Sequence, residues 1–419
     1  MCKIAKEDHA MTAHYDTLET RDPELRERDL FAALPEQLAH AKANATYFGA
    51  LLAAVNVSAI NSRKALATLP ITRKSELHEM QKASMPFGGL AATATGKMAR
   101  LFVSPGPIYD AEGRGADYWG TARVFHAAGF RAGDIVHNTF SYHLTPAGSM
   151  FETGAHALGC AVIPAGVGQT EMQVAAIAAL KPGGYVGTPS FLKLLLEKAD
   201  ELKADVSSIK RALVSGEAFL PPVRELLKSR GIDTYQAYGT ADLGMIAYES
   251  SAHEGLIAAE NIILEIVRPG TGDPVVAGEV GEVVVTTFNR DYPLVRFATG
   301  DLSAVLPGVS SCGRTNMRIK GWMGRADQTT KVRGMFVHPH QIAEIVKRHP
   351  EVAKARLVVS HVDGNDAMQL ICESVASLNI EGVAGSIREI TKLRGDVQRV
   401  SPGSLPNDGK VIEDRRSYA

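Results

Sequence analysis

The sequence predicts an α/β protein. A large N-terminal domain is built on a doubly wound parallel sheet with added antiparallel strands, and a hinge joins it to a small C-terminal α+β domain. Three observations carry this. The chain has 419 residues, more than one compact core usually holds, and 45% of them are apolar, which is ample for burial. Between residues 134 and 231, short apolar runs recur roughly every 25 residues with helical patterns between them, as in parallel strands covered on both faces. After Tyr238 strand follows strand, which is the pattern of hairpins.

Taken in order, residues 1–80 form a helical layer, with Leu30, Phe31, Leu34 and Leu38 on one face before a break at Leu69-Pro70. Four strand–helix units come next: Ile135-Val136-His137-Asn138 with a helix over 151–158, 160–163 with 171–180, Tyr185-Val186-Gly187 with 190–202, and Ala212-Leu213-Val214 with 221–229. Ser190 is the expected N-cap of the third helix, and Pro222 and Gly231 bracket the fourth. Strands are expected over 262–267, 275–276 and 282–285, and an apolar strand over 293–297. The large domain is assigned residues 1–326 and the small one 327–419. The small domain reads as strand 332–337, helix 341–349, strands 355–360 and 368–374, and helix 380–393.

Lys+Arg 45 against Asp+Glu 46 leaves a formal charge of −1 with no basic block, which argues against nucleic acid or an anionic membrane as partner. Charges interrupt the apolar runs well short of a membrane span, and the N-terminus has no apolar signal core, so a cytoplasmic location is expected. Cys2, Cys160, Cys312 and Cys372 show no Cys-x-x-Cys spacing. Cys160 and Cys372 lie in strand-like runs and read as buried reduced thiols. Oligomeric state, monomer or homodimer, is left open.

Four segments in fixed order carry the chemistry. In Val214-Ser215-Gly216-Glu217 a strand runs into a glycine turn, either an ordinary strand-to-helix turn or a place where backbone approaches a flat base. In Ala237-Tyr238-Gly239-Thr240-Ala241-Asp242 the aromatic can stack on a purine or line an acid pocket. Its Thr hydroxyl can bond a phosphate or carboxylate oxygen, and its Asp can hold Mg²⁺ directly or through water. Thr299-Gly300-Asp301 ends the apolar strand with a carboxylate able to accept two bonds from a diol such as ribose. Downstream stand Gly324-Arg325-Ala326-Asp327 and Lys331-Val332-Arg333-Gly334, with Arg325 as a cation for a nucleotide and Asp327 as a pivot. Last comes Leu405-Pro406-Asn407-Asp408-Gly409-Lys410, whose lysine could set one point charge against transition-state oxygens. Asn138 to Gly148 offers Phe140, Tyr142 and His143, either as an acid pocket or as a helix-start cap. With Ala237 and Tyr238 these would suit an aryl or arylacetic acid.

These segments together resemble the phenylacetate-CoA ligase branch of the acyl-adenylate-forming (AMP-dependent synthetase/ligase) superfamily, over nearly the whole chain. By that resemblance Tyr238 to Asp242 correspond to the adenylate-and-acid loop, Thr299-Gly300-Asp301 to the ribose motif, Gly324 to Asp327 to the hinge and Gly409-Lys410 to the motif of the adenylation lysine. Gly187-Thr188-Pro189-Ser190 also matches. The resemblance implies a ligase using ATP, Mg²⁺ and coenzyme A, which forms an acyl-AMP and, after the small lobe rotates, an acyl-CoA. Alternatives are an enzyme of the same fold with an amine or carrier-protein acceptor, and a non-catalytic sensor of a nucleotide or acyl-CoA.

Three departures qualify the resemblance. In place of a Ser/Thr/Gly-rich phosphate loop the chain has Ser104-Pro105-Gly106-Pro107-Ile108-Tyr109, whose prolines remove amide donors. Ala92-Thr93-Ala94-Thr95-Gly96-Lys97 is a competing candidate. Asp242 stands where Glu is more usual. Cys312-Gly313-Arg314-Thr315 survives from a zinc-binding pattern of some relatives, but with one Cys and His253 upstream zinc is not expected.

Overall fold

In the computed structural model the described residues are 13–104, 107–326, 328, 330–333, 335–362, 365–375, 377–406 and 410–416. Cys2, Pro105, Gly106, Asp327, Gly334 and Asn407 to Gly409, singled out above, lie outside them.

A nine-stranded sheet forms the centre. From edge to edge it runs Val305–Leu306, Arg318–Ile319, Leu256–Ala258, Gly244–Glu249, Asp233–Thr240, Arg211–Val214, Gly184–Gly187, Ile135–Asn138 and Ala161–Pro164. The last five are parallel and the others antiparallel, so the expected doubly wound half and hairpin half share one sheet. Helices Ala147–Leu158, Thr170–Leu180, Pro189–Leu202 and Pro221–Ser229 connect the parallel strands. The N-cap of Pro189–Leu202 is Thr188, not Ser190: its hydroxyl accepts from Phe191 N, and Pro189 takes the first helical position, where a missing N–H costs nothing.

A second sheet is ordered Thr72–Arg73, Phe297–Ser303, Gly281–Thr287, Ile262–Val267. The N-terminal helix Pro23–Asn44 lays Phe31, Leu34 and Leu38 into a core shared with Ile263, Leu294, Val295 and Phe297. Residues 293–296 are not the start of a strand. Arg296 has φ +43° and is fully buried; its guanidinium pairs with Glu265 at 3.1 Å and donates to the carbonyls of Ala67, Leu69 and Gly272. Residues 275–276 are not a strand either; that stretch bends back through a single bridge between Val267 and Pro274.

From Thr330 the chain builds its own core of Val332, Ile342, Ile345, Leu357, Leu370, Cys372 and Ile387. Strands Thr330–Val332 and Met335–Val337 form a hairpin rather than one strand, turning at Arg333, which has φ +47°. Behind it stands a four-stranded sheet in the order Asp396–Val400, Asn365–Glu373, Lys354–Val362, Ile412–Asp414, covered by helices Pro339–Arg348 and Ile380–Thr391. The outer strands of that sheet had no counterpart in the sequence reading. Cys160 and Cys372 are buried free thiols, as expected. Among the described residues no helix is long and apolar enough to cross a membrane.

Candidate active site

After strand Ile135–Asn138 the chain goes first to the edge strand Ala161–Pro164 and then returns to pair Gly184–Gly187 on the other side. The loops leaving these strands therefore part in opposite directions, opening a crevice beyond their carboxyl ends. Gly216 follows the next strand with φ +85°, and a Cβ there would meet Phe140 Cε1 at 3.5 Å and Thr188 Cγ2 at 3.6 Å, so three loops converge at this point. Ser215 donates its N–H to the Gly187 carbonyl, and Glu217 accepts from Ser190 N at 2.7 Å at the start of helix Pro189–Leu202. Phe140 is buried and stacks on Phe151 with centroids 4.7 Å apart. Tyr142 accepts from Asn138 Nδ2 at 2.8 Å, with its ring against Gly148, whereas His143 is exposed.

One end of the crevice is organised around Asp301. Asp301 does not end a strand; it sits in a bulge within Phe297–Ser303. Val284 pairs with Ala298 and Glu282 with Leu302, so residues 299–301 stand opposite Val283 alone. The bulge sets the buried Asp301 carboxylate toward Arg325, and Gly300 allows it with φ +77°; a Cβ there would also press on the Arg325 guanidinium at 2.8 Å. Three donors converge on the carboxylate: Tyr238 Oη at 3.0 Å, Trp322 Nε1 at 3.1 Å and Arg325 NH1 at 2.8 Å. Burial, and then the Asp301 charge, raise the Tyr238 phenol well above its usual range, so it remains a donor. Ala237 is buried beneath, and Thr240 Oγ1 accepts from Leu243 N in the turn that carries Asp242. A cavity of about 110 Å³ adjoins Gly300 and Arg325, and His338 and Pro339 of the C-terminal unit form part of its wall. Sequence reasoning missed Trp322; its signal was a lone indole two residues before Gly324.

The other end is different. Strands Arg100–Ser104 and Ile108–Glu112 pair antiparallel in continuous register. Only alternate amides serve that ladder; of the Val103–Tyr109 pair, Val103 N donates to the Leu144 carbonyl and Tyr109 N to Gln81 Oε1 at 2.8 Å. Ser104 Oγ donates to Asp110 Oδ2 at 2.9 Å. Asp110 is buried, and its carboxyl is pushed up to about 7, first by burial and then by the charge of Asp242. Asp242 is itself buried and takes Lys74 Nζ at 2.5 Å. The competing segment is occupied too: Ala92 N and Thr93 N both donate to the Asp291 carbonyl, and Thr93 Oγ1 to the Asp291 carboxylate at 2.6 Å. Lys74 and Asp110 were not foreseen; Lys74 is 168 positions from Asp242, and only the fold brings them together.

Lys410 is exposed in the C-terminal unit just before strand Ile412–Asp414, its carbonyl held by Arg356 Nε. Lys331 lies in strand Thr330–Val332; its side chain is outside the description. Cys312 Sγ accepts from the Ser250 and Ser310 hydroxyls at 3.2 Å, and these bonds, with Arg314, hold the thiol below its usual range against the opposing effect of burial. The His253 ring instead stacks on Tyr235 with centroids 5.1 Å apart.

Residues 116–289 match the family described as AMP-binding enzyme. The phenylacetate-coenzyme A ligase of Aromatoleum evansii is 31% identical over 315 residues, 72% of this chain and 70% of the relative. That of Escherichia coli (strain K12) is 29% identical over 374 residues, 83% of this chain and 84% of the relative. Among solved structures, a 2-hydroxyisobutyryl-CoA ligase in the postadenylation state shares the fold with a TM-score of 0.74 over 98% of this chain and 94% of that one, at 22% identity.

Proposed function

The chain belongs to the phenylacetate-coenzyme A ligase family of AMP-binding enzymes, and on that premise we propose that it is an AMP-forming acid–thiol ligase. A carboxylic acid is activated by ATP as acyl-AMP and passed to coenzyme A, and an arylacetate such as phenylacetate is the favoured acid. The observation that carries this reading is the convergence of Tyr238, Trp322 and Arg325 on Asp301. Segments far apart in the chain meet in one cluster, which presents a fixed carboxylate suited to a ribose diol beside a cation suited to its phosphate.

In this reading Asp301 takes the ribose hydroxyls, Arg325 the nucleotide phosphate, and Ser215, Gly216, Glu217, Ala237, Tyr238 and Gly239 border the base. Thr240 faces the reacting oxygens, and Phe140, Tyr142 and His143 border the acid. Lys410 and Lys331 come from the mobile small domain, 327–419, which turns about Asp327 between the two half-reactions. Mg²⁺ enters on the ATP phosphates. The protein works in the cytoplasm.

Pyrophosphate release over a panel of aryl, arylacetic and aliphatic acids, with and without coenzyme A, tests this. Arylacetates should release pyrophosphate and yield a thioester only with coenzyme A. Release with thioester formation replaced by an amide would move the acceptor to an amine. A second reading is favoured by the paired strands Arg100–Ser104 and Ile108–Glu112, which carry the buried carboxylate Asp110 where the resemblance implies a Ser/Thr/Gly-rich loop. It is a protein that binds an adenylate or acyl-CoA as a sensor, or accepts a ready-made acyl-adenylate. Adenylate binding without any pyrophosphate release across the panel would support it.

A further inference from the structure

The carboxylate that the sequence offers to Mg²⁺ is already engaged. Lys74 Nζ lies 2.5 Å from Asp242 Oδ2, with the Asp242 side chain out of water and that of Lys74 about one quarter exposed (26%). Lys74 opens the short turn Lys74–Glu76 directly after strand Thr72–Arg73, and that strand is fixed by pairing with Phe297 and Ala298. Sheet pairing therefore aims the ammonium at Asp242. Beside it, Asp110 Oδ2 takes the Ser104 hydroxyl.

Two oxygens remain, Asp110 Oδ1 and Asp242 Oδ1, both buried and without a protein partner. Mg²⁺ needs about six oxygens in near-octahedral geometry, and it usually keeps several waters where the protein supplies few. Among the described residues no group of three or more His, Cys, Asp or Glu gathers to hold a metal. A dication at these two oxygens would also sit close to the Lys74 ammonium in a buried setting, where like charges repel strongly. The residues present do not fit a protein-held metal while Lys74 is in place.

We propose that the Lys74 ammonium is the resident cation of this site, standing at Asp242 where a divalent metal would otherwise be held, so that nucleotide is taken up with no metal bridging it to Asp242. The proposal rests on the nucleotide-binding reading and specifies its cation. An ammonium bound covalently to the fold neutralises Asp242 at any metal concentration, and it cannot diffuse away with a departing pyrophosphate.

Mn²⁺ serves as the probe, followed by electron paramagnetic resonance and calorimetry on the full chain without nucleotide, and AMP binding is compared in EDTA and in excess Mg²⁺. The native chain should show no Mn²⁺ site that Asp242→Asn removes, and AMP affinity should be the same in both buffers. Lys74→Met leaves the buried Asp242 carboxylate uncompensated, with Asp110 beside it, and should bind Mn²⁺ about tenfold or more tighter than the native chain, a gain cancelled in Lys74→Met/Asp242→Asn. A native Mn²⁺ site lost in Asp242→Asn overturns the proposal, as does AMP binding that requires Mg²⁺. That native comparison decides even where Lys74→Met does not fold; where it folds, a failure to gain Mn²⁺ also counts against the proposal. If AMP binds in neither buffer, the nucleotide reading fails, while the Mn²⁺ result still decides which cation Asp242 holds.

Discussion

The two ends of the crevice are built on opposite electrostatic plans. At Asp301 a single carboxylate is surrounded by three donors, and half of the Arg325 side chain remains open to solvent (51%). The Asp301 carboxylate is itself buried and satisfied, and the reachable group is the Arg325 cation beside it. At Asp242 two buried carboxylates stand near each other, Asp242 held by Lys74 and Asp110 by the Ser104 hydroxyl. The difference teaches that one fold can hold one carboxylate by several neutral and charged donors and another by a single lysine, and that the two arrangements need not change together. Phe297–Ser303 and residues 322–325 contribute to the first, Lys74, Ser104 and strand Ile108–Glu112 to the second, and residues 238–242 supply Tyr238 to one and Asp242 to the other.

The sharpest way to break that comparison is to ask whether a residue of the C-terminal unit serves the ATP phosphates. If the small-domain lysine does, Lys410→Ala should lower acyl-AMP formation from acid and ATP by about 10³-fold, since a charge set against developing oxyanions contributes several kcal/mol. Thioester formation from a supplied acyl-adenylate should be nearly unchanged. Equal loss in both half-reactions would mean that the substitution damages the domain.

The next largest effect tests the Asp242 end through its proton. The Asp110 carboxyl is raised from 3.8 to about 7. A carboxyl with a raised folded pKa holds its proton more tightly folded than unfolded. Its contribution is therefore complete below about 4 and is lost as pH rises to about 7. Asp110→Asn keeps an acceptor for Ser104 but cannot ionise. The native chain should lose stability relative to this variant between pH 4 and 8, by at most about 4 kcal/mol for a shift of about three units. Urea unfolding at both pH values reads this; an equal gap at both would mean that Asp110 ionises freely and the Asp242 end is not charge-crowded.

What the sequence made legible divides along the same line. Tyr238, Asp301 and Arg325 were readable because each sits in a short string whose chemistry is local, and the structure brings them within hydrogen-bond distance. The strand–helix alternation was readable for the same reason, since apolar period reports burial. The bulge at residues 299–301 was not, because it depends on the register of Gly281–Thr287 against Phe297–Ser303. Nor was the Lys74–Asp242 pair, which exists only because Thr72–Arg73 joins the second sheet. The prolines at 105 and 107 marked that stretch as unusual but gave no sign that Asp110 would be buried beside it.

At the Asp301 end a smaller loss is expected. Asp301→Ala removes a charged acceptor worth about 1.5–3 kcal/mol, so AMP should bind roughly 10- to 150-fold more weakly by calorimetry. The protein should stay folded, because Arg325 and Trp322 can turn to water. Unchanged AMP affinity would remove Asp301 from the site and with it the contrast between the two ends.

The smallest effect separates positioning from contact. Trp322 is half exposed (51%) and donates its indole N–H to Asp301 Oδ1, the same oxygen that Arg325 approaches at 2.8 Å. Trp322→Phe keeps a flat apolar ring and deletes only that donor. If the indole merely orients the carboxylate, Arg325 still holds it, and the loss should be about 0.5–1.5 kcal/mol, or roughly 2- to 12-fold in AMP affinity. Combining it with Arg325→Ala should then cost more than the sum of the two, since both donors hold one oxygen and each covers for the other. Additive losses would mean that the two side chains act independently, with Trp322 touching the nucleotide itself. A loss in Trp322→Phe as large as in Asp301→Ala would carry the same message, because removal of one donor out of three cannot equal removal of the acceptor.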